Sequence, residues 1–370
     1  MYGLKWSYVN ILNERINTDS AKQNMLLSLV TLSLSMLFAR CTSTLTSYED
    51  AIQNGVYNMS QPTETLFQMF KDTHERKYDS LSEEEKRRQI FADNIRYINK
   101  HNAKYAIKES TYYLGINQFT DMTYEEFAKQ FANLQNEDIW TGNVSIFLPP
   151  ENYPAPSSVD WRQKGYVTQV KDQGKCGSCW SFGVTGTIEG QLARQTGRLV
   201  PLSEQQLIDC SRRYGNKGCK GGYTGRTLQY VSDQPGIEGE ADYPYRAGDS
   251  YPCSFTKSKV RAIIRGYYTV NPGEKNLEIV TASVGPISVS MYVNRNFQHY
   301  HGGIFYDPSC AKTSIGRHAV LVVGFGSSPS NYWLVKNSWS YMWGEAGYIR
   351  MAKNRNNICG IASKAVFPRM

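Results

Sequence analysis

No apolar run in this 370-residue chain is long enough to span a bilayer. The longest, residues 25–39 (MLLSLVTLSLSMLFA), has fifteen residues, where a spanning helix needs about 20. Its length fits the core of a secretory signal, so residues 25–43 are expected to be a signal peptide or signal anchor. Residues 1–24 are then an N-terminal extension, with Met25 as an alternative start. Histidine is scarce, five in all, and none lies near Cys210 or Cys219, so no zinc-ligand set is evident. There is no block of Lys and Arg interleaved with aromatics, which excludes a nucleic-acid partner. There is no internal repeat and no low-complexity tract. Acidic residues run short only in the back of the chain. Residues 155–370 carry 26 Lys+Arg against 14 Asp+Glu, while residues 1–154 carry 15 against 19. An acidic front that complements a basic body accounts for that asymmetry.

Eight cysteines are present: Cys41, Cys176, Cys179, Cys210, Cys219, Cys253, Cys310 and Cys359. Secretion makes disulfides the default. With Cys41 near the signal boundary, seven remain in the body, and three bridges leave one thiol over. Residues 171–183 (KDQGKCGSCWSFG) pose the alternatives of a redox dithiol, half a zinc site, or one structural beside one reactive cysteine. Trp180, Val184, Ile188 and Leu192 recur every four residues, so a helix begins at about Ser178–Cys179. Cys179 then sits in the first turn, where free N–H groups and the helix dipole favour a thiolate. A redox pair would sit in a βαβ context, whereas here the strand-like stretches, residues 318–326, 331–339 and 347–353, cluster at the far end.

A nucleophilic thiol wants a base. His299 and His301 read as an exposed turn, but His318 stands at the edge of an apolar strand, where an imidazole needs a partner. A hairpin centred near Ser328 would put position 337 opposite 319 and bring Asn337 beside His318. Gln173 can donate an amide hydrogen which, with the Cys179 N–H, could stabilise an oxyanion. Upstream, residues 62–102 read as helical, with Phe91, Ile95, Ile98 and Asn102 on one face. A turn and short helix follow over residues 115–127. Then Pro149, Pro150, Pro154 and Pro156 mark an exposed connector, the kind of segment proteases cut. The body beyond it reads as a helical half followed by a β half.

With CGSCW, a histidine and an asparagine far downstream, the chain resembles the papain family of cysteine proteases, of cathepsin L type. In front, Glu84, Arg88, Phe91, Asn94, Ile98 and Asn102, then Gly115, Asn117, Phe119 and Asp121, fit the family's two propeptide patterns. The resemblance implies an α+β, two-lobed papain-like fold, a helical lobe plus a β-barrel-like lobe with the active site in the cleft between them. A mainly helical inhibitory propeptide, residues 44–153, precedes the peptidase domain, residues 154–370. It implies Cys179 as nucleophile, His318 as acid–base, Asn337 as its orienter and Gln173 in the oxyanion hole. Trp339 would shield the Asn–His contact and Trp343 would line the leaving-group side. Gly221, Gly222 and Tyr223 would meet the substrate, with Lys364 at the floor of the second subsite. The implied bridges are Cys176–Cys219, Cys210–Cys253 and Cys310–Cys359. No metal or cofactor is needed.

The function so implied is a cysteine endopeptidase made as a zymogen. The alternatives are a non-catalytic peptide- or inhibitor-binding homologue and a peptide ligase using the same acyl-enzyme. Protein and peptide substrates, the chain's own propeptide and cystatin-type inhibitors are the expected partners, and a monomer in the secretory pathway, lysosome-like or extracellular, is expected. Three positions depart from the family. Arg317 replaces an acidic residue before His318 and is expected to disfavour the imidazolium. Ser340 replaces a glycine. Lys364 replaces a small residue: either it narrows or charges the pocket and admits acidic or polar side chains beside hydrophobic ones, or it swings outward and leaves an apolar pocket under Tyr223. Protonation of carboxylates in the acidic front is expected to release it at low pH. Asn58 and Asn143 are glycosylation sequons.

Overall fold

The computed structural model describes residues 57–135, 144–150 and 153–370. The expected signal segment, Cys41 and Asn143 lie outside them. Two helices, α1 (Thr63–Thr73) and α2 (Leu81–Ala106), make up the stretch that read as helical. Glu75 adopts φ 49°, which a continuing helix forbids, and the Ser80 hydroxyl restarts the helix by accepting the Glu83 N–H. Phe67 and Phe70 of α1 meet Phe91 of α2 at centroid distances of 5.3 and 5.1 Å, which gives the propeptide an aromatic core of its own. The chain then forms strand β1 (Tyr112–Leu114) and helix α3 (Tyr124–Phe131), whose start is a Thr123–Glu126 capping box.

After β2 (Val144–Phe147) comes α4 (Cys179–Thr196), followed by α5 (Glu204–Cys210) and α6 (Thr224–Asp233). Ile237–Glu238 and Val260–Ala262 pair as a small separate sheet, and the later strands of the main sheet are β3 (Tyr267–Val270), β4 (Ile287–Val293), β5 (Tyr300–Phe305), β6 (Gly316–Gly326), β7 (Tyr332–Lys336), β8 (Tyr348–Ala352) and β9 (Lys364–Pro368). They form one sheet in the order β1-β5-β8-β7-β6-β4-β9-β3-β2, with the short Val159–Asp160 strand beside β6. The segment before the proline-rich connector thus adds a strand at each edge, β1 against β5 and β2 against β3. Helix α4 lies directly on β4 and β6. A Cβ at Gly183 would come within 2.6 Å of Ser288 Oγ, and one at Gly186 within 2.8 Å of the Leu321 side chain. Only glycine lets the helix come this close.

Two large apolar cores are found among the described residues, beside a small cluster of Leu321, Val323 and Leu334. One lies in the β lobe and takes in propeptide residues Phe119, Phe127 and Phe131 together with Trp339 and Trp343. The other lies in the helical lobe and takes in propeptide residue Leu134 together with Cys179, Trp180 and Ile188. The disulfides are Cys176–Cys219, Cys210–Cys253 and Cys310–Cys359, and Cys179 is the free thiol among the described residues.

Candidate active site

Cys179 is the first residue of α4 and is fully buried. The helix position was expected to lower its pKa; instead burial pushes the thiol up to about 12, against the Ala319 and Trp180 backbone and its own N–H. The helix N-terminus is outweighed because Leu134 packs in the same apolar cluster and water is excluded.

His318 lies in β6 with its ring fully buried. Its Nε2 is 2.7 Å from Asn337 Oδ1, and its Nδ1 is 3.1 Å from the Phe131 carbonyl oxygen of the propeptide. Both neighbours are acceptors, so a neutral ring donates to only one of them. Burial pushes the imidazole down to about 4, against the support of Asn337 and Phe131. The covered site therefore holds a neutral thiol and a neutral imidazole. Trp339 stacks on the His318 ring at 4.5 Å, and Phe119 and Phe127 of the propeptide each meet the indole edge-on at 5.2 Å.

The His318–Asn337 contact forms by a slightly different register from the expected one. A bulge between Leu334 and Val335 sets Lys336 opposite Leu321, so the ladder leads Asn337 towards Val320 rather than Ala319. The side chain closes the difference. Asn337 is anchored by its N–H to Gly347 O at 3.0 Å.

Gln173 is buried and doubly tied to the residue after Asn337. Its N–H donates to Ser338 O at 2.9 Å and its Oε1 accepts the Ser338 hydroxyl at 2.7 Å. Its Nε2 donates to Cys176 O at 2.9 Å. The Tyr245 hydroxyl lies 2.8 Å from both Gln173 O and Ser178 Oγ, joining the Gln173 loop to the start of α4. Sequence reasoning missed Ser338 and Tyr245. Adjacency to Asn337 was the only cue for the first, and the second had none.

The propeptide stretch 132–135 bonds to both lobes. Arg317 N donates to Ala132 O and Leu134 N donates to Arg317 O on one side, while Gln135 N donates to Gly222 O on the other. A Cβ at Gly221 would fall 2.2 Å from Asn133 O, so its φ of 106° and lack of side chain admit a peptide backbone there. The Tyr223 ring lies beneath the Arg226 guanidinium at 3.9 Å, and Trp343 abuts Trp339 edge-on at 5.1 Å. Lys364 opens β9, opposite Ser290.

Two expectations are corrected. His299 and His301 are not an exposed turn: His299 is fully buried and His301 largely so, because Gly115 packs on the His301 ring and Gly115 N donates to His299 O. Arg317 does not press on the imidazole. Its guanidinium turns away onto Ser290 and Tyr292, and burial, not Arg317, lowers the His318 pKa. Ser340 holds φ 62°, the left-handed conformation in which glycine costs less.

A papain family cysteine protease model matches residues 155–369, and a cathepsin propeptide inhibitor domain model matches residues 67–127. Digestive cysteine proteinase 1 of Homarus americanus is 48% identical over 303 residues, 81% of this chain and 92% of that protein. Cathepsin L2 of Homo sapiens is 44% identical over 326 residues, 86% and 96% of the two chains. The solved structure of digestive procathepsin L 3 from Tenebrio molitor larval midgut matches with a TM-score of 0.78 at 42% identity, covering 84% of this chain and 100% of that one.

Proposed function

Because this chain belongs to the papain family of cysteine proteases, and is a cathepsin L-like zymogen with its own propeptide, we propose that its body cleaves internal peptide bonds through Cys179, His318 and Asn337. The supporting observation is the held imidazole: His318 lies between Asn337 and the Trp339 indole, and the next residue, Ala319, contacts the Cys179 thiol through its backbone. With the propeptide gone, His318 takes the thiol proton and the thiolate attacks the peptide carbonyl. Gln173 Nε2 and the Cys179 N–H receive the oxyanion. The imidazolium passes its proton to the leaving amine, and a thioester remains on Cys179. Water, deprotonated by His318, then releases the acid and restores the thiol.

Substrate backbone takes the place of residues 132–135, with Gly221 and Gly222 on one side, which is consistent with the Gln135–Gly222 bond. Tyr223 and Trp343 line the cleft. Lys364 lies at the second subsite and admits acidic or polar side chains there. Maturation falls in the proline-rich connector near residue 153, between propeptide and peptidase domain. Cystatin-type inhibitors fit the same cleft, and the enzyme works as a monomer in an acidic compartment of the secretory pathway or outside the cell.

The test is product analysis by mass spectrometry after acid activation, with a reductant, beside Cys179→Ala. Peptide fragments ending in free carboxylates, lost in the variant by a factor of about 10⁴ or more, are expected. Spliced products instead of free acids would mean a ligase, and intact substrate from a correctly processed chain would mean a binding homologue.

A further inference from the structure

Lys364, Ser290 and Ala319 stand in one row across β9, β4 and β6. Residues directly opposite in a ladder share a face, and so do residues two apart on a strand. Arg317 and Tyr292, paired one step along, therefore lie on the face that carries this row. It is the face that α4 covers, since a Cβ at Gly183 would be 3.4 Å from the Ala319 Cβ. Helix α4 begins at Cys179, however, so past that point the face is left to whatever peptide fills the cleft. In the zymogen this is Leu134, whose N–H donates to Arg317 O and whose side chain joins the apolar cluster of Ala319 and Val366.

The Arg317 guanidinium is half-buried here. Its Nε and Nη2 donate to Ser290 Oγ at 3.0 and 2.8 Å, and it lies 4.6 Å from the Tyr292 ring centroid. Among the described residues no carboxylate forms an ion pair with it. A half-buried guanidinium whose contacts are the Ser290 hydroxyl, a long 3.5 Å bond to the Ser290 carbonyl and one aromatic face keeps donors, those of Nη1 among them, for an anion. Across Ser290 from it stands a second cation, Lys364. Leu134 brings no charge to either.

We propose that Arg317, together with Lys364 across Ser290, makes this floor select an acidic side chain at the second residue before the scissile bond, so that the enzyme's preferred substrates are Glu- or Asp-bearing peptides. The assignment of the subsite rests on the reading of Lys364 given above. Arg317 replaces the expected control of catalytic pH with a control of substrate choice. A substrate carboxylate would take the Nη donors of Arg317 as a charge-assisted pair while the Ser290 hydroxyl keeps the fork oriented.

The test uses processed enzyme and three peptides that differ only at that second residue, carrying Glu, Gln or Leu. The quantity read is the Glu-to-Gln ratio of kcat/KM, in which any general loss of activity cancels. A ratio of about ten is expected at pH 6.5, the equivalent of one charge-assisted hydrogen bond. It should fall towards one as the pH drops through the ordinary Glu range near 4.3, because only the ionised side chain is recognised. Arg317→Gln should bring the ratio close to one, with Arg317→Lys restoring part of it. A wild-type ratio at or below one at pH 6.5 overturns the proposal without any variant. A high ratio that survives Arg317→Gln and is lost in Lys364→Ala overturns the role of Arg317 and leaves the Lys364 reading standing. The reverse pattern sinks the Lys364 reading and leaves Arg317 as the selector.

Discussion

Cys179 and Glu189 are both fully buried on α4, yet one is held uncharged and the other charged. At Cys179, burial raises the thiol and only neutral dipoles oppose it, while nearby His318 is pushed down to about 4. At Glu189, burial pulls in the same direction but loses. Lys171 at 2.9 Å, Lys336, the Thr168 hydroxyl at 2.7 Å and the Leu202 N–H together hold the carboxyl below its usual range. Lys171 also pairs with Glu204, which accepts the Thr185 hydroxyl and is itself raised by burial. Burial thus removes charge where a fixed counter-charge is missing or is already shared, as Lys171 is between Glu189 and Glu204. The charged site braces the middle of the helix, and the neutral one is the pair proposed for catalysis, kept uncharged.

Removing one member of the braced site is the largest way to break the contrast. Glu189→Gln leaves Lys171 and Lys336 short of an anion in the interior, and a loss of about 3 kcal/mol in urea unfolding of the zymogen is expected. A loss under about 1 kcal/mol would show that the cluster is not needed for stability.

Acid should sharpen the contrast. His318 binds its proton less well when covered, at about 4, than a free imidazole does, at about 6.5. A base whose pKa is lowered by docking favours the docked state above its open value, and that advantage disappears as the pH falls from about 6.5 towards 4. His301 and His101, both lowered mainly by burial at or within the propeptide contact, act with the same sign. Asp121 acts against them, because burial raises it and its proton favours the docked form. Buried neutral histidines therefore add to the acid response expected of carboxylates such as Glu126, which Arg87 helps to hold below its usual range. In a Cys179→Ala zymogen, which does not process itself, hydrogen exchange should show residues 115–135 losing protection between pH 7 and 4.5 while the Lys171–Glu189 region keeps it. Equal loss in both regions, or in neither, would contradict this.

What could be read from the sequence follows the range of the interactions. The start of α4, the terminal strands and the helical propeptide were legible because local periodicity writes them. The His318–Asn337 neighbourhood was legible too, although the bulge at Leu334/Val335 was not, since nothing local marks it. The environment of each group was hidden. Burial of Cys179, the carbonyl of Phe131 on His318 and the turning of Arg317 onto Ser290 come from segments far apart in the chain. His299 and His301 misled for the same reason: a polar, glycine-flanked stretch looks exposed until β1 is laid across it.

The smallest expected effect tests whether the two sites on α4 communicate. Tyr245 is the physical link between them. Its hydroxyl bridges Gln173 O and Ser178 Oγ at the neutral end. Its N–H donates to Glu240 Oε1 at 2.8 Å, and Glu240, lifted to about 7 by burial and by Glu204, borders the charged end. Tyr245→Phe keeps the packing on Phe182, 5.1 Å away, and deletes only the bridge. If the bridge orients Gln173, kcat should fall about tenfold with KM little changed, the pattern of an interaction made in the transition state. Peptide aldehydes, whose adduct oxygen occupies the oxyanion hole, should then bind more weakly by a similar factor. Adding the change to Gln173→Ala should cost almost nothing more, because both act on one donor. A rise in KM at constant kcat, or full additivity with Gln173→Ala, would reduce Tyr245 to a packing residue.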